Sequence, residues 1–143
     1  MIENKAEAGG EGSSGGFILK EFNMCRDGLL TSGLIASMID DESIQKDIEF
    51  FESFSQIRNK ISVESTLHEK IIEKIAKKIG IMYKIDQLDG IRISINENTW
   101  SLIRKSNTED IIRISTESND KQLLQKIQKE MIKNVEECYE EIE

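Results

Sequence analysis

Apolar residues recur along this chain with two different periods. Leu67, Ile71, Ile75 and Ile79 fall every fourth residue, which predicts a helix with one buried stripe. Thr66 and Glu69 form a capping-box pattern at its start, and Gly80 stands where a C-terminal cap would. In "GIRISI", Ile91, Ile93 and Ile95 alternate with Arg92 and Ser94, the period of a half-buried strand. Asn96-Glu97-Asn98 is a turn, "TWSLIR" is the returning hairpin strand, and "IIRISTE" is a third strand. "IRNKISV" upstream reads as a strand, and "IMYKI" as a short one. A last helix runs from about Asn119 with Leu123, Ile127, Met131, Val135 and Ile142 on one face.

Residues 56–143 therefore predict strand, helix, short strand, three-strand meander and closing helix. That order describes an α+β two-layer domain, a mostly antiparallel sheet covered on one face by two helices. Residues 1–55 predict an incomplete piece. "FILKEF" is a short strand, "RDGLLTSGLIASMI" is a helix with Leu30, Leu34 and Met38 in line, and Asp27 sits near its N-terminus. "DDESIQKDIEFFESF" is a second helix, with Ile44, Ile48 and Phe51 in line and acids in its first turn. One strand and two helices lack the neighbours that close a layer. Their apolar faces imply self-association.

The sequence has 143 residues and a formal net charge of −8. That balance argues against nucleic-acid and anionic-membrane binding, which need a basic face. There is no run of about 18 apolar residues to span a membrane. Cys25 and Cys138 lack metal-type spacing, so reduced thiols and a cytoplasmic location are expected. Proline is absent, leaving loop shape to Gly, Asn, Asp and Ser. The opening "MIENKAEAGGEGSSGG" is polar, and by composition alone it reads as a flexible linker.

Candidate chemistry lies in "RKSNTED", residues 104–110, between two strands. A hairpin there brings Arg104 and Arg113 towards the mouth of the loop. Arginine suits phosphate because its planar fork donates two parallel hydrogen bonds. Ser106, Asn107 and Thr108 add small donors, and a tight loop turns backbone N–H groups inward as an anion nest. On composition alone the same loop also reads as a plain polar turn. Asp40-Asp41-Glu42 has metal-compatible residue types but reads as a helix-capping feature. His68 reads as a partly exposed residue on the helix surface.

The run "DGIRISINENTWSLIRKSNTEDIIRISTES" resembles the C-terminal domain of the α-D-phosphohexomutases, the phosphomannomutase, phosphoglucomutase and phosphoglucosamine mutase superfamily. In that family a DG-led strand, a Trp-containing hairpin strand and an R-x-S-[GN]-T-E loop occur in this order. "GGEGSSGGFI" followed by "RDGLL" resembles the sugar-reading loop and the step into a helix of the family's third domain. The resemblance implies that residues 1–55 are the end of an α/β third domain and residues 56–143 the fourth. It also implies that Arg104, Ser106, Asn107, Thr108 and Arg113 bind the substrate phosphate. Glu11, with Ser13 or Ser14, would bind sugar hydroxyls, and Glu109 would hold the loop's own backbone. The implied partners are a hexose phosphate and the N-terminal domains of a parent enzyme.

Several departures accompany the likeness. The family's loop usually has proline at the positions of Lys105 and Asp110. A histidine that many bacterial members carry after the sugar loop is glycine here, so no acid–base role transfers. The family's phosphoserine loop, of T-A-S-H-N-P type, and its magnesium loop, of D-G-D-x-D-R type, do not occur in the sequence. The chain is therefore expected to hold no cofactor and to lack mutase activity alone, magnesium belonging to the full-length parent. A non-catalytic phosphosugar-binding or assembly module, and an inert α+β domain, are the alternatives.

Overall fold

The computed structural model describes residues 1–3, 5–11 and 16–142. The chain divides into two compact units, Met1–Phe51 and Glu52–Glu143.

In the N-terminal unit β1 (Ala8–Glu11) pairs antiparallel with β2 (Gly16–Leu19), Gly10 standing opposite Phe17. The sequence reading assigned no strand before Phe17. β1 departs from it because "AGGE" carries no apolar alternation and is a strand through backbone pairing alone. α1 (Gly28–Met38) is capped by Asp27, whose carboxylate accepts a hydrogen bond from Leu30 N at 2.9 Å. α2 (Glu42–Glu52) follows Asp41, which accepts from Ser43 Oγ at 2.6 Å and Ser43 N at 2.8 Å. Those bonds hold the Asp41 carboxyl below its ordinary range. Neither helix has a buried residue. Leu30, Leu34 and Ile44 are half-buried, while Leu29 is 87% and Phe51 69% exposed.

The C-terminal unit is a five-stranded antiparallel sheet of order β3-β7-β6-β5-β4, with the two helices on one face. The strands are β3 (Ser55–Ser62), β4 (Ile85–Asp86), β5 (Ile91–Asn96), β6 (Thr99–Lys105) and β7 (Ile111–Ser118). Strict alternation sends Ile91, Ile93, Ile103, Ile112 and Ile114 inward, where each is at most 1% exposed. They meet Ile71, Ile75 and Ile79 of α3 (His68–Ile79) and Ile127, Met131 and Val135 of α4 (Lys121–Glu140). The inward face also carries hydroxyls, and these pair with one another. Thr99 Oγ1 lies 2.8 Å from Ser118 Oγ, and Ser101 Oγ 2.8 Å from Thr116 Oγ1. Asp120 caps α4 by accepting from Gln122 N and Leu123 N.

Polar ties fasten α4 to its neighbours. Lys78 pairs with Glu137, which raises the lysine's pKa and lowers that of the carboxyl. Tyr83 Oη donates to Glu130 at 2.8 Å. Gln128 is buried on α4 and its Nε2 donates to Asn59 Oδ1 at 2.9 Å.

Three expectations fail locally. "IMYKI" is a strand only at Ile85–Asp86, because the N–H groups of Met82 and Tyr83 both bond back to Ile79 O at the helix end. Ile81 is consequently 86% exposed. The capping box does not form, since Thr66 lies inside a 3-10 turn (Ser65–Leu67) and Glu69 pairs with Lys105 instead. His68 is 3% exposed, because it stands three residues before Ile71 on the buried face of α3, and its Nε2 lies 3.0 Å from Val63 O.

Candidate anion site at the β6–β7 loop

The β6–β7 register sets Arg104 directly opposite Arg113. Opposed residues share a face of the sheet, so both guanidinium groups project from the side away from the helices. Alternation also puts Arg58 and Lys60 of β3 and Arg92 of β5 on that face. A chain acidic in total thus has five basic side chains on one sheet surface. Trp100 lies among them, its ring 5.4 Å from the Arg92 guanidinium and its Nε1 donating to Glu117 at 3.0 Å.

The loop is shaped by its own side chains. Ser106 Oγ accepts from Glu109 N at 3.2 Å and from Thr108 N at 3.4 Å. With its lone pairs turned to those amides, the Ser106 hydroxyl keeps its proton for an outside acceptor. The same bonds turn the two amides into the loop, so they are less available to an anion than the nest expectation held. Asn107 and Thr108 are exposed at the tip.

Both ends of the loop are fastened, at the two positions where prolines were expected from the family pattern. Lys105 pairs with Glu69 of α3. Asp110 accepts from Ser65 N through its side chain at 3.1 Å, and its carbonyl accepts from Val63 N at 3.0 Å. Val63 O in turn takes the proton of His68 Nε2, since a carbonyl only accepts. His68, Val63 and Asp110 therefore form a hydrogen-bonded chain from the helix layer to the loop. Val63 and Asp110 are 47 residues apart in the sequence, so no local pattern announces it.

Arg104 has a support of its own. Its Nη1 donates to Asp89 at 3.2 Å. Gly90 beside it has φ +92°, and a Cβ there would lie 2.4 Å from Ile103 O and 2.8 Å from Arg104 Cβ. Only glycine lets β5 begin this close to the end of β6. A cleft of about 210 Å³ opens next to this contact, bordered by Glu69, Asp89, Gly90, Arg104, Lys105 and Asn107.

Glu109 corrects an expectation. Its carboxylate pairs with Arg113 and lies 4.0 Å from Lys60, instead of holding loop backbone. A guanidinium on the same face offers a charged partner, which a neutral amide does not match. Lys60 was not placed beside this pair from the sequence, because only the β3–β7 register brings it opposite Arg113. Ser13, Ser14 and the Glu11 side chain lie outside the described residues. Among those described, no three His, Cys, Asp or Glu side chains gather as metal ligands would. Cys25 and Cys138 are free thiols, the first exposed and the second buried. No described helix is long and apolar enough to cross a membrane.

Comparison with known proteins identifies the setting of this loop. The model of the phosphoglucomutase/phosphomannomutase C-terminal domain matches residues 60–134, and that of the same family's alpha/beta/alpha domain III matches residues 1–57. A probable phosphoglucosamine mutase of Methanobrevibacter smithii is 30% identical over 142 residues, covering 96% of this chain and 32% of the relative. The probable phosphoglucosamine mutase of Methanosphaera stadtmanae is 33% identical over 132 residues, 89% of this chain and 29% of its own length. The phosphoglucosamine mutase of Methanocaldococcus jannaschii is 31% identical over 134 residues, 88% and 30% of the two chains. The chain thus spans about a third of the length of these curated relatives. In structure it is similar to a phosphoglucomutase/phosphomannomutase family protein from Burkholderia thailandensis, with TM-score 0.69 and 19% identity over 96% of this chain and 29% of that one. The order of strand, Trp hairpin and RKSNTED loop, the two family models and the shared fold together show that the chain belongs to the phosphoglucomutase/phosphomannomutase family, whose C-terminal portion it carries.

Proposed function

We propose that the β6–β7 loop is the phosphate grip of a phosphohexomutase, an enzyme that interconverts a hexose 1-phosphate and 6-phosphate. The observation that carries this reading is the pair Arg104 and Arg113, set opposite each other at the mouth of a loop with a free Ser106 hydroxyl proton. A phosphate monoester has about −1.5 to −2 charge near neutral pH. Two guanidinium forks and the Ser106, Asn107 and Thr108 side chains match its three terminal oxygens. The names of the curated relatives favour a glucosamine phosphate as the sugar.

In the proposed reaction a phosphoserine of the parent enzyme gives its phosphoryl group to the free hydroxyl of the sugar phosphate. The bisphosphorylated sugar turns over, and the other phosphate returns to the serine. Whichever phosphate is not reacting must be held, in both orientations. A grip made for phosphate, indifferent to the sugar carbon that bears it, meets that requirement. Glu11 with Ser13 or Ser14 would hold ring hydroxyls of the sugar. By itself this chain, which carries neither the serine nor the metal loop, binds phosphosugar weakly and turns none over.

Titration of the 143-residue chain with glucosamine 6-phosphate, followed by NMR, tests the reading. The Ser106–Asp110 amides are expected to shift, and Arg104→Ala to weaken binding about tenfold or more by removing a charged hydrogen-bond donor. Shifts that are absent, or unaffected by Arg104→Ala, would leave a plain turn. Conversion of the 6-phosphate to the 1-phosphate by the pure chain would defeat the proposed inactivity.

The exposed apolar residues of α1 and α2 favour one additional reading, that the N-terminal unit takes part in assembly. Sedimentation velocity is expected to show association rising with concentration, and to lose it when Leu29 and Phe51 are both changed to Ser. A monomer at all concentrations would count against it.

A further inference from the structure

The positive charge beside the loop exceeds what two arginines supply. Lys60 stands directly opposite Arg113 in the β3–β7 pairing, as Arg113 does opposite Arg104 in the β6–β7 pairing. With strands about 4.8 Å apart, the three cations form one row across three neighbouring strands. Like charges opposed on a sheet face repel, so such a row calls for negative charge. The chain brings two carboxylates to it. Asp89 accepts from Arg104 at 3.2 Å, and Glu109 pairs with Arg113 and lies 4.0 Å from Lys60. Three positive charges against two negative leave the row short of one anion.

Resting on the reading of the loop as a phosphate grip, we propose that Lys60 is a third cationic ligand of the bound phosphate and that Glu109 is the counter-ion the phosphate displaces. In the free chain Glu109 occupies the position between Arg113 and Lys60. A phosphate bound to Arg113 with Glu109 in place would face a like charge at close range. With Glu109 turned to solvent, the phosphate faces three cations instead. The exchange is easy on the protein side. Glu109 is half exposed on the loop itself, and Lys60 is 59% exposed on a flexible stem. Arg58 is a poorer candidate for this role. It sits two residues further down β3, opposite Ser115, and its Nε already donates to Gln56 at 2.6 Å.

The proposal predicts opposite signs for two adjacent charge changes. Titrations of the full chain with glucosamine 6-phosphate would compare wild type, Lys60→Gln, Glu109→Gln, the double variant and Arg104→Ala. Lys60→Gln is expected to weaken binding about fivefold and flatten its salt dependence, the size of a partly screened ion pair. Glu109→Gln is expected to tighten binding about fivefold, and the double variant to fall near wild type. Unchanged affinity in Lys60→Gln overturns the proposal while leaving the loop reading intact, provided that Arg104→Ala weakens binding. Weaker binding in Glu109→Gln also overturns it, making Glu109 a positioning residue for Arg113. A wild-type chain that does not bind glucosamine 6-phosphate removes both readings. Amide spectra of every variant, matching wild type outside residues 104–113, guard against misfolding as the cause.

Discussion

Gly90→Ala is expected to destabilise the C-terminal unit by about 2–5 kcal/mol, from a strained backbone and an overfilled contact acting together. Alanine at φ +92° is the first cost, since L side chains seldom adopt that conformation. The second is steric. A methyl group 2.4 Å from Ile103 O cannot be accommodated by rotating a side chain, because the obstacle is backbone of the neighbouring strand. β5 must move away from β6, and Arg104 lies at the point where they part. Domains commonly have only about 5–15 kcal/mol of stability, so this is a large fraction. Urea unfolding should show a lower midpoint with an unchanged slope. The folded fraction should also bind phosphosugar less well than wild type. A midpoint near that of wild type would mean that the β5–β6 contact is not as tight as described.

His68→Ala is expected to cost about 2–4 kcal/mol, combining a cavity with an unpaired carbonyl at Val63. Its second effect reaches the loop. Val63 is held on one side by His68 and on the other by Asp110, the loop's last residue. Losing the imidazole should loosen both bonds, although Arg104 and Arg113 are untouched. Hydrogen exchange is expected to quicken at the Val63 and Ser65 amides more than at β5 amides. Phosphosugar affinity should fall with it, and His68→Gln, which retains a donor, should recover part of the loss. Exchange at Val63 as slow as in wild type would show that the chain of bonds does not transmit to the loop.

These two residues also show what the sequence disclosed and what it withheld. The meander was legible because isoleucine alternates with polar residues, and α3 because isoleucine recurs every fourth residue. Both signals are local and carry the core. Gly90 was legible as part of a motif, but its positive φ and its contact with Ile103 depend on strand register. His68 was misread as partly exposed although its place three residues before Ile71 puts it on the buried stripe of α3, because a polar side chain was not counted with the isoleucines. "IMYKI" misled in the opposite sense, since three apolar residues in five spelled a strand where the helix end had already taken the N–H groups. Lys60 was not placed beside Arg113 for the plainest reason. It belongs to a strand whose partner lies on the far side of a helix, a strand and a hairpin in the sequence.

That long-range pairing has a consequence for how the molecule is made. β3 leaves the ribosome well before β7, its neighbour in the sheet, with a helix and three strands made in between. At about 5–20 residues per second, β3 waits for seconds with its backbone groups unpaired. An unpaired strand of this kind is a template for the wrong neighbour, and charged side chains are what nature commonly uses to discourage it. Arg58 and Lys60 hold those positions on β3. These two cations on the outer face of β3 therefore serve the nascent chain as guards against aggregation, and neutralising both should lower soluble yield even where the folded protein is left intact.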